Sequence, residues 1–519
     1  MVNFAAKNKH RFIIFGLFLL FFIISGSCLI LSGDDLWWCS IPTLSDFLDN
    51  YKLNGRFLTN VLSYLSCHNT VFCVVLYVLT FTGFYASAGS LLGSNYKYKW
   101  LPYASMVLIF LFAQKAFYSQ IINWVSGYTN YVISLILLFI YINYTKPVFD
   151  RKKPEGGLLT AVVFLIVGFL GALCVENITI YNIIFGIFVI VFSLVVRKRV
   201  TAANITYLIG TVIGTIFMFW LFDYGDIASN GDTMGFRGFE FTFEDIATKL
   251  YLEIIPYYAC CYSYLHLIIS AALLYIYFKR FQTDSKKPKY AKICIPVIVF
   301  YCIYSFASLN LQQLVIMSNS YKVRAFECAL AFIYVISLLY IVYHLLSGAK
   351  RVMSMIYLVS TIIVTGQFIV ISPITLRCFF ADYIFWCLFA FSLLMEAVYV
   401  SGVRDNGFIR STAIVFIASV LGIISFFNIT NKYVDNLRID FVKEQLTHKQ
   451  KNVEFIRLPY AYLSGDTAEM LDSDVPFIQI GGEKWMYSKA YYVWNGIDLS
   501  VLDRVRVDIE MMDYNLSKE

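Results

Sequence analysis

Charge is what this chain has least of. Of its 519 residues 14% are Asp, Glu, Lys or Arg, proline occurs ten times and histidine five, while 59% are hydrophobic. Soluble domains carry about 25% charged residues, and a mean hydropathy of +0.68 is more apolar surface than one core can take from water. A soluble globular enzyme is excluded. There is also no Walker loop, dinucleotide fingerprint, Ser-His-Asp arrangement or Cys/His metal spacing, which argues against ATP-driven transport within this chain. No internal repeat is visible, whereas many transporter folds are built from paired repeats. The twelve cysteines all precede residue 431 and lie mostly in apolar runs, so no disulfide framework is implied. Cys39 and Cys67 share one predicted loop, but nothing else marks a disulfide-stabilised exterior.

What is there is a series of continuous apolar runs, at 12–31, 71–90, 101–118, 131–144, 158–175, 181–196, 205–221, 256–278, 292–307, 325–347, 353–371, 383–399 and 412–428. A span needs about 20 apolar residues, and the runs are continuous where a β-barrel would alternate. The expected fold is an all-α polytopic membrane protein of about 13 transmembrane helices. Lys7, Lys9 and Arg11 precede the first run, and no A-x-A cleavage signal follows it, so it reads as a retained helix. The net charge of +7 resolves into clusters in alternate loops, among them Arg151 to Lys153, Arg197 to Arg199 and Lys350 with Arg351. The positive-inside rule then places the N-terminus in the cytoplasm and, with an odd number of spans, the C-terminus outside. Nucleic acid is not expected as a partner.

Two domains follow from this pattern: a membrane domain over 1–430, with a first external loop at 33–69, and a small external α/β domain over 431–519. In the loop, 43–65 has apolar residues at helical spacing, which predicts one or two interfacial helices. In the tail, 434–450 has helical periodicity, while 475–480 and 501–509 read as strands.

The candidate functional residues are those that neither the orientation rule nor packing explains. Asp34 and Asp35, just beyond the first span in Gly33-Asp34-Asp35-Leu36-Trp37-Trp38, are two adjacent carboxylates in which burial and repulsion can raise one pKa towards that of a general base. Asn54-Gly55-Arg56 interrupts the helical pattern further along the loop. External cations (Arg56, Lys115, Arg237, Lys322, Arg324 and Arg377) oppose the usual bias and suit a bound anion, since Arg clamps phosphate with two parallel hydrogen bonds. Glu176 and Asn177 end an apolar helix. Trp124, Tyr128 and Asn130, in the second external loop, have the flat faces and amides that sugar recognition uses, although an aromatic interface belt has the same composition. His266 and Glu396 lie singly within spans and read as satisfied core polar groups.

Together, Gly33-Asp34-Asp35, Asn54-Gly55-Arg56, the segment from Trp124 to Tyr131, Glu176-Asn177 and Ser372-Pro373 with Arg377 resemble the GT-C class of membrane glycosyltransferases. Within it the chain is most similar to bacterial O-antigen glucosyltransferases of the Gtr type and related wall-glycan modifying proteins. The resemblance implies transfer of one sugar from a polyprenyl-phosphate donor to a cell-envelope glycan or lipid-linked acceptor on the external face of the cell membrane. Asp34, or else Asp35, would be the base. Lys322, Arg324, Arg377 and Arg237 would hold the donor phosphate, and Glu176, Asn177, Trp124, Tyr128, Asn130, Asn54 and Arg56 the sugar or acceptor. A flippase and a polyprenyl-phosphate sugar synthase would serve the same pathway. Some relatives use a divalent ion on the acidic loop; with one leaving phosphate and a cation-rich site, no metal or other cofactor is expected here. The alternatives are a flippase or exporter of lipid-linked glycans, and a polysaccharide polymerase or ligase.

Overall fold

The computed structural model describes residues 2–49, 54–93, 98–220, 238–239, 242–281, 287–310, 321–372, 374–448, 452–464 and 504–509. Its helices fall on the apolar runs. Eleven are long and apolar enough to cross a membrane, or up to twelve if Leu101–Phe112 and Lys115–Ile122, bent by 104°, count as one span. Leu158–Ala172 is apolar but shorter. The protein is therefore an all-α polytopic membrane protein. Leu79, Val195, Ile336 and Val415 keep exposed apolar side chains, as faces turned to lipid would. Val125–Phe149 and Leu376–Ser401, by contrast, have 78% and 89% of their spanning windows buried, where a helix apolar all round belongs.

The chain divides into two compact units, residues 1–84 with 113–133 and 414–519, and residues 85–112 with 134–413. In the first, the loop after the opening helix Val2–Ser27 holds three short helices: Asp34–Ser40, and then Leu44–Asp49 and Phe57–His68 in the stretch where the spacing predicts one or two. The last span continues as one helix of 41 residues, Gly407–Thr447. The domain boundary expected at residue 431 thus falls inside a helix. No glycine or proline follows Gly422 to break it, and Val434, Leu437 and Phe441 give its far end an apolar face that packs with Ile30, Ile456 and Leu458. Asn452–Ile456 then pairs in parallel with Arg504–Ile509, while the strand expected at 475–480 lies outside the described residues.

In the second unit, Leu158–Ala172 and Ala202–Trp220 pack in parallel at backbone contact. A Cβ on Gly168 would lie 2.3 Å from the Tyr207 carbonyl oxygen, one on Gly210 2.1 Å from that of Leu165, and one on Gly214 2.6 Å from that of Phe169. Glycines one turn apart allow this approach where lipid supplies no hydrophobic drive between helices. Gly210→Leu should therefore lower thermal stability in detergent by about 1–3 kcal/mol, the usual cost of overpacking. Gly422→Ala, at an exposed helix position with nothing within 4 Å, should not lower thermal stability, since alanine favours a helix over glycine by about 1 kcal/mol. Equal melting of Gly210→Leu and the parent chain would overturn this account of the contact.

Candidate active site

The acidic pair owes its position to a turn that only glycine adopts easily. Gly33 has φ of 52°, in the left-handed region, and starts the helix Asp34–Ser40 directly beyond the first span. Within that helix, Asp35, Leu36 and Trp38 are buried, while Asp34 and Trp37 are only half-buried. Residues three apart lie on one helix face, so Asp34 and Trp37 share the open side.

Asp35 points the other way, onto the start of Val125–Phe149. Its Oδ1 accepts hydrogen bonds from the Ser126 N–H at 2.8 Å and the Ser126 hydroxyl at 2.6 Å. Its Oδ2 accepts from the N–H groups of Val125 at 3.3 Å and Ser32 at 3.4 Å. The first N–H groups of a helix have no partner within it, and its dipole attracts negative charge there, so this carboxylate caps a membrane-spanning helix from a distant loop. Two indoles extend the network: Trp38 Nε1 donates to the Ser126 hydroxyl (3.2 Å) and Trp124 Nε1 to the Ser32 carbonyl (2.8 Å). Burial pushes the Asp35 carboxyl up to about 7; Asp34 adds to the rise, and the bonds from Ser126 and Ser32 oppose it.

The neighbouring residues expected to bind sugar are used in packing. Trp124, Tyr128 and Asn130 are 8%, 0% and 7% exposed. Asn130 bridges the Thr59 hydroxyl and the Ser126 carbonyl, both at 2.6 Å, and Tyr128 stands edge-on to Tyr77. With Ser63 against Thr129 at 2.7 Å, these bonds hold Phe57–His68 to the same helix start. Asn54 accepts from the Arg56 N–H and the Asn60 amide, closing the turn before that helix, and Arg56 is half-buried. A π-helical turn, Tyr118–Ile122, leads into the segment, and such widened turns are frequent at functional sites. Lys115 lies over the ring of Tyr462. Cys39 and Cys67 are free thiols.

The other candidates lie in the second unit. Arg324 is not an isolated cation: it pairs at 2.8 Å with Glu327, a buried acid one turn along the same helix that also accepts from the Tyr304 hydroxyl. Lys322 is exposed and Arg377 half-buried, while Arg237 and Pro373 lie outside the described residues. Glu176 starts the helix Glu176–Arg197, and the Asn177 carbonyl accepts from Gln367. His266 is satisfied, as expected, by the Tyr334 hydroxyl and the Ala259 carbonyl. Glu396 is not solitary: Arg280 and Lys350, distant in sequence, reach it at 2.5 and 2.7 Å. One acid had no signal in the sequence. Asp382 is fully buried, with the hydroxyls of Tyr262 and Thr365 as its polar neighbours.

Among the described residues no group of three or more His, Cys, Asp or Glu side chains could hold a metal. Comparison with protein-family models, curated proteins and solved structures finds no match, so the functional reading rests on these residues.

The cap has a pH signature. Because the folded chain holds a proton on Asp35 that the unfolded chain releases at an ordinary carboxyl pKa near 3.8, this group's contribution to stability falls as pH rises from about 4 to 7. Asp35→Asn cannot titrate. The difference in melting temperature between parent and variant in detergent should therefore shrink across that window; a constant or growing difference would show that Asp35 is ionised throughout.

Proposed function

We propose that the protein is a glycosyltransferase that moves one sugar from a polyprenyl-phosphate donor to a cell-envelope acceptor on the external membrane face. The observation that carries this reading is the division of labour in the acidic pair. Asp35 is fixed by four hydrogen bonds, and the same helix holds Asp34 half-buried beside Trp37 on the open side. A carboxylate on a rigid support next to an indole face is suited to accept a proton from a sugar or polyol hydroxyl.

In the proposed reaction Asp34 removes the acceptor hydroxyl proton as that oxygen attacks the anomeric carbon from the face opposite the phosphate. The carbon–oxygen bond to phosphate breaks, its electrons leave with the polyprenyl phosphate, and the configuration inverts. Developing phosphate charge needs a cation. Arg324, Arg377, Lys322 and Arg237 are the proposed cations, and Glu327 holds Arg324 in place at 2.8 Å. Glu176 and Asn177 remain proposed sugar contacts, and Trp37, beside Asp34, is proposed as an aromatic platform. Thirteen crossings remain the proposed topology, with a cytoplasmic N-terminus and an external C-terminus. Counting Leu158–Ala172 as a crossing is supported by its parallel packing with Ala202–Trp220, since one helix separates the two in sequence.

A second reading, translocation of a lipid-linked glycan, draws on Asp382: ionisable groups inside membrane spans mark transport paths as well as catalytic sites. Sugar transfer by purified protein separates the two. With radiolabelled polyprenyl-phosphate sugars and crude envelope acceptor, transfer should survive EDTA, fall at least about 100-fold in Asp34→Asn and need more donor in Arg377→Ala. Trp37→Ala should raise the acceptor concentration required. Near-normal turnover in Asp34→Asn would sink the base assignment, while lipid movement in vesicles without any transfer would establish the rival.

A further inference from the structure

The first unit contains a partly open cavity of about 190 Å³. Its walls include Leu31 and Leu36 on either side of the acidic pair, Cys67 and Cys73, and Lys432 and Asp435 of the long helix. At about 30 Å³ per water this is room for about six waters, or for one compact polar group.

The charges decide which group. Asp435 is held through Oδ1 by Arg438 at 3.1 and 2.8 Å, and Arg438 is fully buried. Lys432 reaches the other oxygen of Asp435 at 3.3 Å, beyond the 2.7–2.9 Å typical of a tight charged pair. Its ammonium has three donors, and its side chain is 33% exposed. The thiols on the opposite wall are neutral, burial holding that of Cys67 well above its ordinary value. A wall with a loosely held ammonium, no carboxylate but one already bound by arginine, and otherwise neutral surface suits an anion.

We propose that this cavity binds a phosphate-class anion, a phosphomonoester or phosphodiester, with Lys432 as its cation. The binding chemistry is the same for free phosphate and for a lipid headgroup. The purpose of such a site one residue from the acidic pair, to seat a phosphate-bearing substrate, rests on the transferase reading.

The test uses the full chain in detergent, with titration calorimetry and thermal unfolding against inorganic phosphate and against dibutyl phosphate. At least one should bind and raise the melting temperature. Lys432→Gln should weaken that binding at least tenfold, the loss of one charge-assisted hydrogen bond, and should remain folded because Arg438 still holds Asp435. Equal binding of both probes assigns the site to free phosphate; preference for dibutyl phosphate assigns it to a lipid headgroup. Asp435→Asn should tighten binding severalfold by releasing Lys432; if stranding the buried Arg438 prevents that variant from folding, the Lys432→Gln comparison decides alone. Failure of both probes to bind, or undiminished binding in Lys432→Gln, overturns the proposal. Sugar transfer without anion binding would overturn the cavity site alone, and anion binding without transfer from any donor would overturn the transferase reading alone.

Discussion

A membrane-spanning helix that begins against protein cannot leave its first N–H groups to water, and in this chain the carboxylate of Asp35 meets those of Val125 and Ser126. The rest of the first unit is arranged around that helix start. Thr59 and Ser63 fasten the interfacial helix Phe57–His68 to Asn130 and Thr129. On the other side, the Asn123 amide donates to Asn428 of the long helix and to the Leu463 carbonyl of the tail, and Asn428 donates to Ser25 of the first span. Eight residues, 123–130, thus join the opening helix, the first loop, the last helix and the tail. Removing the cap would strand buried donors of this segment, each costing about 1–3 kcal/mol.

The charged groups follow the same physics with different results. Glu396 has Arg280 and Lys350, Glu327 has Arg324, and Asp435 has Lys432 and Arg438, so each of these three acids has a cation within bonding distance. Such pairs add little net stability but are costly to break, since the remaining charge stays buried. A cation already committed in this way, as Arg324 is to Glu327, is a weaker candidate for phosphate than its position in the sequence implies. Asp382, fully buried with Tyr262 and Thr365 as its polar neighbours, has no ion-pair partner among the described residues, and for that reason it is the residue on which a transport reading would turn.

How much of this was legible beforehand depends on the range of the interaction. The helices were legible because apolar length is a local property, and the runs around 71–90 and 383–399 coincide with helices. The three-helix loop and the continuation past residue 431 were partly legible, the latter from the lack of any breaker after Gly422. Long-range pairing was not. Asp35 and Ser126 are 91 residues apart, and Arg280 and Glu396 are 116 apart, with no local pattern linking them. Trp124, Tyr128 and Asn130 are ambiguous for a chemical reason: an indole, a phenol and an amide that could recognise a sugar are equally able to satisfy one another in a buried joint.

The acidic pair itself shows why a motif does not assign roles to its members. Successive residues on an α-helix point about 100° apart, so two adjacent aspartates cannot both face the same partner. Which of them turns inward is set by its neighbours: Leu36 and Trp38 are buried, which fixes the inner face on the side of Asp35 and leaves Asp34 with Trp37. A substitution at either position removes one carboxylate, yet the two losses are different in kind. Without Asp35 the helix start loses its acceptor and the support shifts; without Asp34 that cap stands and the half-buried carboxylate on the open side is gone. Chemistry that needs a proton acceptor held still therefore depends on both residues, on one for the proton and on the other for the position.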